Sequence, residues 1–518
     1  MEGPETGESR MSNLSRSQRL LTPSRLDPCI IVVAGASGDL AFRKLMPAFY
    51  HLYLTGAMPD PFVIVGCART KMSNEEFGKR LHAAFRSNTA FDLGKWKAFS
   101  SYVHYRAIDY EDLTSFRGLG RFLKELDAKH HTKGNRLFYL AVPPSAYKTV
   151  AGMIGDAGLA AEGQPGHGWS RVVVEKPFGK DLKTARELNQ SLHRHFAEHQ
   201  IFRIDHYLAK ETVQNLLMFR FANSIFEPVW SRNYIDYVSI TAAEKIGVGH
   251  RGGFYEETGV LRDMFQNHML QLLAHTAMEP PALFDAEQVR NERIKVFRAL
   301  RPFPVDRLRD RIVLGRYERG EVDGEKVPGY REEPGVDPNS LTPTFAMMKV
   351  FLDNWRWKGV PFYLASGKRL SQKLTEINIQ FKEVPHSMFS LEPVSPIKAN
   401  RLTLSIYPEE KISLTFQTKN PGVRVFLRGV NMDFFYYQNY SGPTMDAYEK
   451  LVIDCMLGDQ MLFWGEEGVE LCWSFLIPII EECETCADRE KMLLPYAAGT
   501  WGPKAAARLN KDWYGDSI

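Results

Sequence analysis

Nine consecutive residues, RIDHYLAKE from Arg203 to Glu211, bring together Arg203, Asp205, His206, Tyr207, Lys210 and Glu211, all side chains that can carry charge or move a proton. They follow directly on an apolar run. If Asp205 opens a helix, His206 and Lys210 stand four apart on one face, a cradle suited to a dianionic phosphate. A charged helix start with ordinary i,i+4 pairs is the alternative.

A second group sits near the start. The strand-like run CIIVVA leads into Gly35-Ala36-Ser37-Gly38-Asp39-Leu40 and then into the helix-like stretch AFRKLMPAFYHLYLTG. In that order the first glycine makes a tight turn, the chain can approach a pyrophosphate closely, and the helix N-terminus faces it. The spacing departs from GxGxxG, so the flanking strand and helix carry the reading. Gly35, Ser37, Gly38, Asp39 and Leu40 are expected to hold a dinucleotide. The next strand, PFVIVGCART, ends at Arg69, where a protein specific for NAD usually places an acid on the ribose 2′-hydroxyl. A guanidinium there suits a 2′-phosphate and favours NADP, an ordinary surface arginine being the alternative. Glu175-Lys176-Pro177 closes the strand RVVV at the carboxyl edge where open sheets bind ligands. Lys176 is therefore a candidate to touch both cofactor and substrate, aimed by a cis bond at Pro177. A solvated strand-end lysine is the bland reading.

The elements that must position these groups show two textures. From Cys29 to Val174, short β-branched runs alternate with helix-like stretches, and the near-continuous hydrophobicity of CIIVVAG, PFVIVGCA, RLFYLAVPP and RVVVEKP predicts a parallel sheet buried on both faces. After Asp205, the runs YVSITAAE, EINIQFKEV, RLTLSIYP and KISLTFQTK alternate apolar and polar residues. The expected fold is an α/β Rossmann-like N-terminal domain followed by an α+β C-terminal domain with a large, mostly antiparallel sheet. Residues 1–27 read as a flexible arm, 28–204 as the NADP-binding domain and 205–518 as the substrate-binding and dimerisation domain. TGVLRDMFQNHMLQLLAHTAME has helical spacing, and Gly320 to Asn339 reads as an exposed loop.

Composition excludes several classes. The 518 residues are too many for one ordinary core, and 44% hydrophobic with 25% charged residues is the balance of a folded, soluble protein. A net charge of +3 on 65 basic and 62 acidic residues provides no global field for nucleic acid. Apolar runs such as CIIVVAGA and FLIPII fall short of the roughly 20 residues a membrane helix needs. Cys29, Cys67 and Cys455 lie in apolar runs, so the cysteines read as buried thiols in a reducing, cytoplasmic setting. Cys483 and Cys486 have CxxC spacing without a second pair for zinc, so packing is expected before redox chemistry, and no metal site is expected. Glu2, Glu5 and Glu8 argue against a transit peptide.

Taken in order, GASGDLA, EKPFG, RIDHYLAKE and RGGFYEETGVLRDMFQNHMLQ resemble the glucose-6-phosphate dehydrogenase family, over nearly the whole chain from about Asp27. The resemblance implies oxidation of glucose 6-phosphate with NADP as cofactor, by a homodimer or homotetramer that associates through the C-terminal sheet. It implies that His268 is the general base that takes the anomeric proton, a role the chemistry requires because a neutral alcohol does not release hydride while keeping its proton. Imidazole suits that role near neutral pH. Asp205 matches the carboxylate that orients the base and stabilises its cation. His206, Tyr207 and Lys210 match phosphate ligands, Glu244 and Asp263 acceptors for sugar hydroxyls, and Lys176 a lysine between cofactor and substrate. Lys368 and Lys373 match two basic positions that close the site. Arg69 matches the 2′-phosphate ligand, and Tyr147, after Pro143-Pro144, a neighbour of the cofactor.

Departures also carry expectations. Where some members hold a second, structural NADP with basic and aromatic side chains, this chain has Leu374, Asn378, Ser405, Ser413, Thr415 and Trp501, so such a site is expected to be absent or weak. Tyr407 replaces a glutamine near the sugar. A relative of glucose–fructose oxidoreductase would share the glycine turn and the Glu-Lys-Pro motif but would not need His206, Lys210, Lys368 and Lys373 together. A catalytically silent nucleotide-binding protein would lack the base or its partner, and both are present.

Overall fold

The computed structural model describes residues 26–85, 92–164, 167–387, 397–422, 427–438 and 445–513. The expected N-terminal arm therefore lies almost entirely outside the described residues, and at its end Leu26 is buried. The chain forms two compact units that are not consecutive stretches. The first comprises residues 1–178, 186–206 and 439–464, the second 179–185, 207–438 and 465–518. The expected single cut after residue 204 thus gives way to a chain that returns to its first unit late in the sequence.

In the first unit, six strands pair in parallel: Cys29–Ala34, Phe62–Ala68, Val103–Ala107, Arg136–Leu140, Ser170–Val174 and Ile201–Ile204. Numbered along the chain, they lie in the spatial order 3-2-1-4-5-6, the doubly wound arrangement whose ligand crevice opens between strands 1 and 4. Every residue of Cys29–Ala34 and Phe62–Ala68 is buried, as continuous β-branched runs covered on both faces must be. The returning segment adds the helix Ala447–Leu457, capped by the Asp446 carboxylate and ended by Gly458, and a short antiparallel strand, Phe463–Trp464, against Ile201–Ile204.

The second unit is built on nine strands, mostly antiparallel. Two pairs run parallel, and one of them, Ile235–Ala243 with Pro361–Gly367, later proves to place two charged side chains. The outer strand, Leu427–Phe435, exposes Met432 and Phe434. The stretch from Gly320 to Asn339 is not simply a loop. It contains the hairpin Gly320–Val322 with Glu325–Val327 and a helical turn that buries Tyr330 and Glu333, tied together by a hydrogen bond of 2.9 Å from the Tyr317 hydroxyl to Glu333.

All six cysteines are free. Cys483 ends a buried helical face, where burial pushes its thiol up to about 12, and the Cys486 sulfur lies 3.7 Å from that of Met492. Cys483 is packed rather than poised as a thiolate. Among the described residues no helix is long and apolar enough to cross a membrane.

Candidate functional site

The glycine turn is shaped by what surrounds its backbone. Gly35 has φ +89°, and a Cβ there would stand 2.2 Å from the carbonyl oxygen of Ala141, at the end of the fourth strand. Both features exclude any other residue. The Gly35 and Ala36 N–H groups donate to the Cys67 carbonyl (2.7 and 3.1 Å), and that of Gly38 donates to Gly35 (2.9 Å). The turn therefore sits in the crevice at the switch point of the sheet. Helical structure follows at once, widened to a π turn over Ala41–Leu45 before the α-helix Met46–Leu54. Asp39 and Arg43 pair on its exposed side at 2.6 Å.

Residues after the second strand converge on the same turn. The exposed Arg69 guanidinium lies 5.8 Å from the Tyr110 ring, and Tyr110, pushed up to about 12 by burial, hydrogen-bonds the Gly35 backbone. Thr70 Oγ1 reaches Ser37 Oγ at 3.4 Å, while the Tyr105 hydroxyl holds the Thr70 carbonyl at 2.5 Å. Tyr110, Tyr105 and Thr70 carry no motif, and sequence reading missed them.

At the end of the fifth strand the Lys176–Pro177 peptide is cis, and Lys176 is half-buried. The carboxylate before it, Glu175, is buried and accepts hydrogen bonds from the Tyr139 hydroxyl, at 2.5 Å, and from Tyr448 of the returning segment. Burial raises its pKa, the two hydroxyls and Lys176 oppose the rise, and the nearby Asp205 adds to it. Tyr147 is fully buried at the head of the helix Tyr147–Asp156, within electrostatic range of Glu175 and Tyr448. Arg203 is buried and consumed by Glu198 (2.8 Å) and Asn189 (3.0 Å), a structural role.

The helix expected from Asp205 does not start there. Strand Ile201–Ile204 ends, residues 206–209 form a turn closed by a 3.2 Å bond from the Lys210 N–H to the Tyr207 carbonyl, and the α-helix is Glu211–Phe221. His206 and Lys210 therefore do not share a helix face. One of the helix's first donors is met from far away in sequence, the Glu410 carboxylate accepting from both the N–H (3.1 Å) and the hydroxyl (2.8 Å) of Thr212.

His268 lies on a helical run broken at Gly259 (φ 56°, ψ 179°) and then widened over Leu261–Met269 into π-helix. In an α-helix of about 3.6 residues per turn, positions five apart point to different faces, whereas i→i+5 closure turns them toward the same one. Asp263 and His268 are five apart. The buried His268 ring stacks on Tyr207, with centroids 4.0 Å apart and planes at 20°.

Parallel register places the next pair. Ala243 lies opposite Gly367, so the residues that follow, Glu244 and Lys368, emerge side by side at the strand ends and form an ion pair. Lys368 is buried, its N–H donates to the Thr344 carbonyl (3.0 Å), and its carbonyl accepts the Tyr496 hydroxyl (2.7 Å). Its ammonium lies 5.1 Å from the ring centroid of Tyr255, which is within electrostatic range of Asp263. Lys373 is exposed and sits 4.0 Å over the Tyr407 ring, so the tyrosine is a seat for the lysine. Of the positions matching a second dinucleotide site, Asn378 is bonded to Glu376 and Thr403, Ser413 to Asp433, and Thr415 to Asn431.

A doubly wound sheet with a glycine turn at its switch point, joined to a sheet unit bearing an imidazole and buried charged pairs, defines a class: two-unit oxidoreductases that use a nicotinamide dinucleotide. Residues 32–215 match the glucose-6-phosphate dehydrogenase NAD binding domain, and residues 217–514 match the glucose-6-phosphate dehydrogenase C-terminal domain. The chain is 44% identical to glucose-6-phosphate 1-dehydrogenase of Aggregatibacter actinomycetemcomitans, over 94% of this chain and 96% of that one. It is 40% identical to that of Bacillus subtilis, over 93% and 96%. A solved glucose-6-phosphate dehydrogenase in complex with its substrate glucose-6-phosphate superposes with a TM-score of 0.86 at 34% identity, covering 96% of this chain and all of that one. The chain belongs to the glucose-6-phosphate dehydrogenase family.

Proposed function

We propose that this protein oxidises D-glucose 6-phosphate to 6-phospho-D-glucono-1,5-lactone with reduction of NADP⁺, the first oxidative step of the pentose phosphate pathway. The observation that carries the substrate half is the buried Lys368, paired with Glu244 at adjacent strand ends, in the same unit as His268 stacked on Tyr207. Burying an ammonium is costly unless it is paired, and Glu244 provides that pairing, so Lys368 is held as a fixed positive charge at the strand ends. His206, Tyr207, Lys210 and Lys373 add the donors and charge for a phosphate, and Glu244 and Asp263 accept sugar hydroxyls.

His268 takes the proton from the anomeric hydroxyl as the C1–H bond breaks, so that the C1–O bond becomes a carbonyl. Asp205 stabilises the imidazolium that forms. The dinucleotide, when bound, supplies the acceptor for the hydride. The fit of the first unit to that group rests on Gly35, where a Cβ would close the crevice, and on the exposed Arg69 beside the same turn, whose guanidinium suits a 2′-phosphate. Ser37, Gly38, Asp39 and Leu40 line the turn, Lys176 stands at the sheet edge, and Tyr147 is a neighbour of the cofactor.

The enzyme is a cytoplasmic homodimer or homotetramer in this reading, supported by six free thiols and by Met432 and Phe434, 62% and 55% exposed on the outer strand of the large sheet. Initial rates with glucose 6-phosphate and free glucose, each with NADP⁺ and NAD⁺, test the whole reading. The expected result is strong preference for the phosphorylated sugar and for NADP⁺. Equal turnover of free glucose would overturn it.

A further inference from the structure

The core of the second unit holds four tyrosines close together: Tyr255, Tyr317, Tyr330 and Tyr496. Three have their hydroxyls engaged. Tyr317 donates to Glu333 at 2.9 Å, Tyr330 to Glu256 at 2.5 Å, and Tyr496 to the Lys368 carbonyl at 2.7 Å. The hydroxyl of Tyr255 is equally buried and, among the described residues, has no hydrogen-bond partner. Buried hydroxyls are seldom left that way, because the water they give up is not replaced.

Its surroundings say what would complete it. The Tyr255 ring lies beneath the Lys368 ammonium, 5.1 Å from its centroid, and Lys368 is paired with Glu244. Asp263 and Glu244 are the charged groups closest in effect to the phenol. Ionised carboxylates only accept hydrogen bonds and an ammonium only donates, whereas a sugar hydroxyl needs to do both. A hexose hydroxyl that donates to Glu244 or Asp263 keeps lone pairs free, and a neighbouring O–H aimed at them satisfies the sugar and the tyrosine at once.

We propose that Tyr255 is a specificity-determining residue, whose hydroxyl donates to one ring hydroxyl of the hexose phosphate while its ring seats Lys368. This rests on the substrate reading above and deepens it. A sugar lacking that hydroxyl leaves a buried phenol unpaired, and sites built to hydrogen-bond a hydroxyl reject analogues without it far more strongly than apolar pockets reject a methylene.

The test is Tyr255→Phe, which keeps the ring under Lys368 and removes only the oxygen. Glucose 6-phosphate and its 2-, 3- and 4-deoxy analogues are compared in wild type and variant, with the KM for NADP⁺ and the unfolding temperature measured alongside. The expected result is a fall of about tenfold in kcat/KM for glucose 6-phosphate. The KM for NADP⁺ and the unfolding temperature should hold, and for one deoxy analogue the substitution should make no difference because the partner is already gone. Unchanged kinetics, or the same loss on every analogue, would overturn the assignment. The parent reading fails separately, if the wild type turns over free glucose as well as its phosphate.

Discussion

The glycine turn of the first unit and the His268 stretch of the second are both built from helical and strand ends, but different forces hold them. Around Gly35 the backbone does the work: a positive φ, carbonyls of two neighbouring strands, and main-chain hydrogen bonds of 2.7 to 3.1 Å. Around His268, Glu244 and Lys368 the arrangement comes from side chains far apart in sequence: Tyr207 stacked on His268, Glu244 paired with a lysine 124 positions on, and Tyr255 under that lysine. A backbone site has no tolerance for an added atom and little dependence on side-chain identity. A side-chain site has the reverse. Substitutions in the first unit should therefore act through conformation, and those in the second through chemistry.

The largest effect expected is on chemistry alone. His268→Asn should lower kcat by about 10²–10⁴-fold, the contribution of a positioned general base, while NADP⁺ titrated by fluorescence binds as before. Near-normal turnover would remove His268 from its role, and lost NADP⁺ binding would break the contrast between the units. Gly35→Ala is the converse. A Cβ 2.2 Å from the Ala141 oxygen, at φ +89°, should cost about 3 kcal/mol of stability and raise the KM for NADP⁺, readable in thermal unfolding and in kinetics. A variant with wild-type unfolding would mean the turn is far softer than its packing.

Lys368→Met removes one member of a pair and leaves Glu244 partly buried and uncompensated. It should cost about 2–3 kcal/mol and raise the KM for glucose 6-phosphate while sparing that for NADP⁺. Adding Glu244→Gln should return stability but not substrate affinity. If stability and affinity recover together, the pair is structural and the anion lies elsewhere. Arg69→Ala should raise the KM for NADP⁺ by about 10–100-fold, the worth of a hydrogen bond to a charged group, with the KM for NAD⁺ nearly unmoved. A proportionate loss on both cofactors would place the 2′-phosphate elsewhere.

The same difference explains what could be read from the sequence. Strands such as Cys29–Ala34 and Phe62–Ala68 announce themselves because burial on both faces leaves no polar residue to blur the run, and the glycine turn follows its strand directly. Val103–Ala107 went unread because an outermost strand can carry His104 and Arg106. Phe463–Trp464 is two residues long, and only its partner Ile201–Ile204 makes it a strand. The first turn of the helix at Glu211 is bonded by Glu410, about two hundred residues away, and nothing in RIDHYLAKE reveals it. The π-helical widening around His268 has no signature in apolar spacing, which predicts an ordinary α-helix there. Local backbone chemistry was legible, while long-range side-chain pairing needed the fold.

The smallest effect sharpens the comparison most, because it asks whether a side-chain contact in the second unit can be exchanged without cost. Lys373 lies over the Tyr407 ring on an exposed face, where a cation–π contact is worth about 0.5–1 kcal/mol. Tyr407→Leu should therefore raise the KM for glucose 6-phosphate about threefold, with kcat and the KM for NADP⁺ unchanged. Because the contact only seats the lysine, Tyr407→Phe should restore the wild-type KM, since the ring face and not the phenol holds the ammonium. If Phe behaves like Leu, the hydroxyl itself reaches the sugar, and Tyr407 is a sugar ligand rather than a seat beneath Lys373.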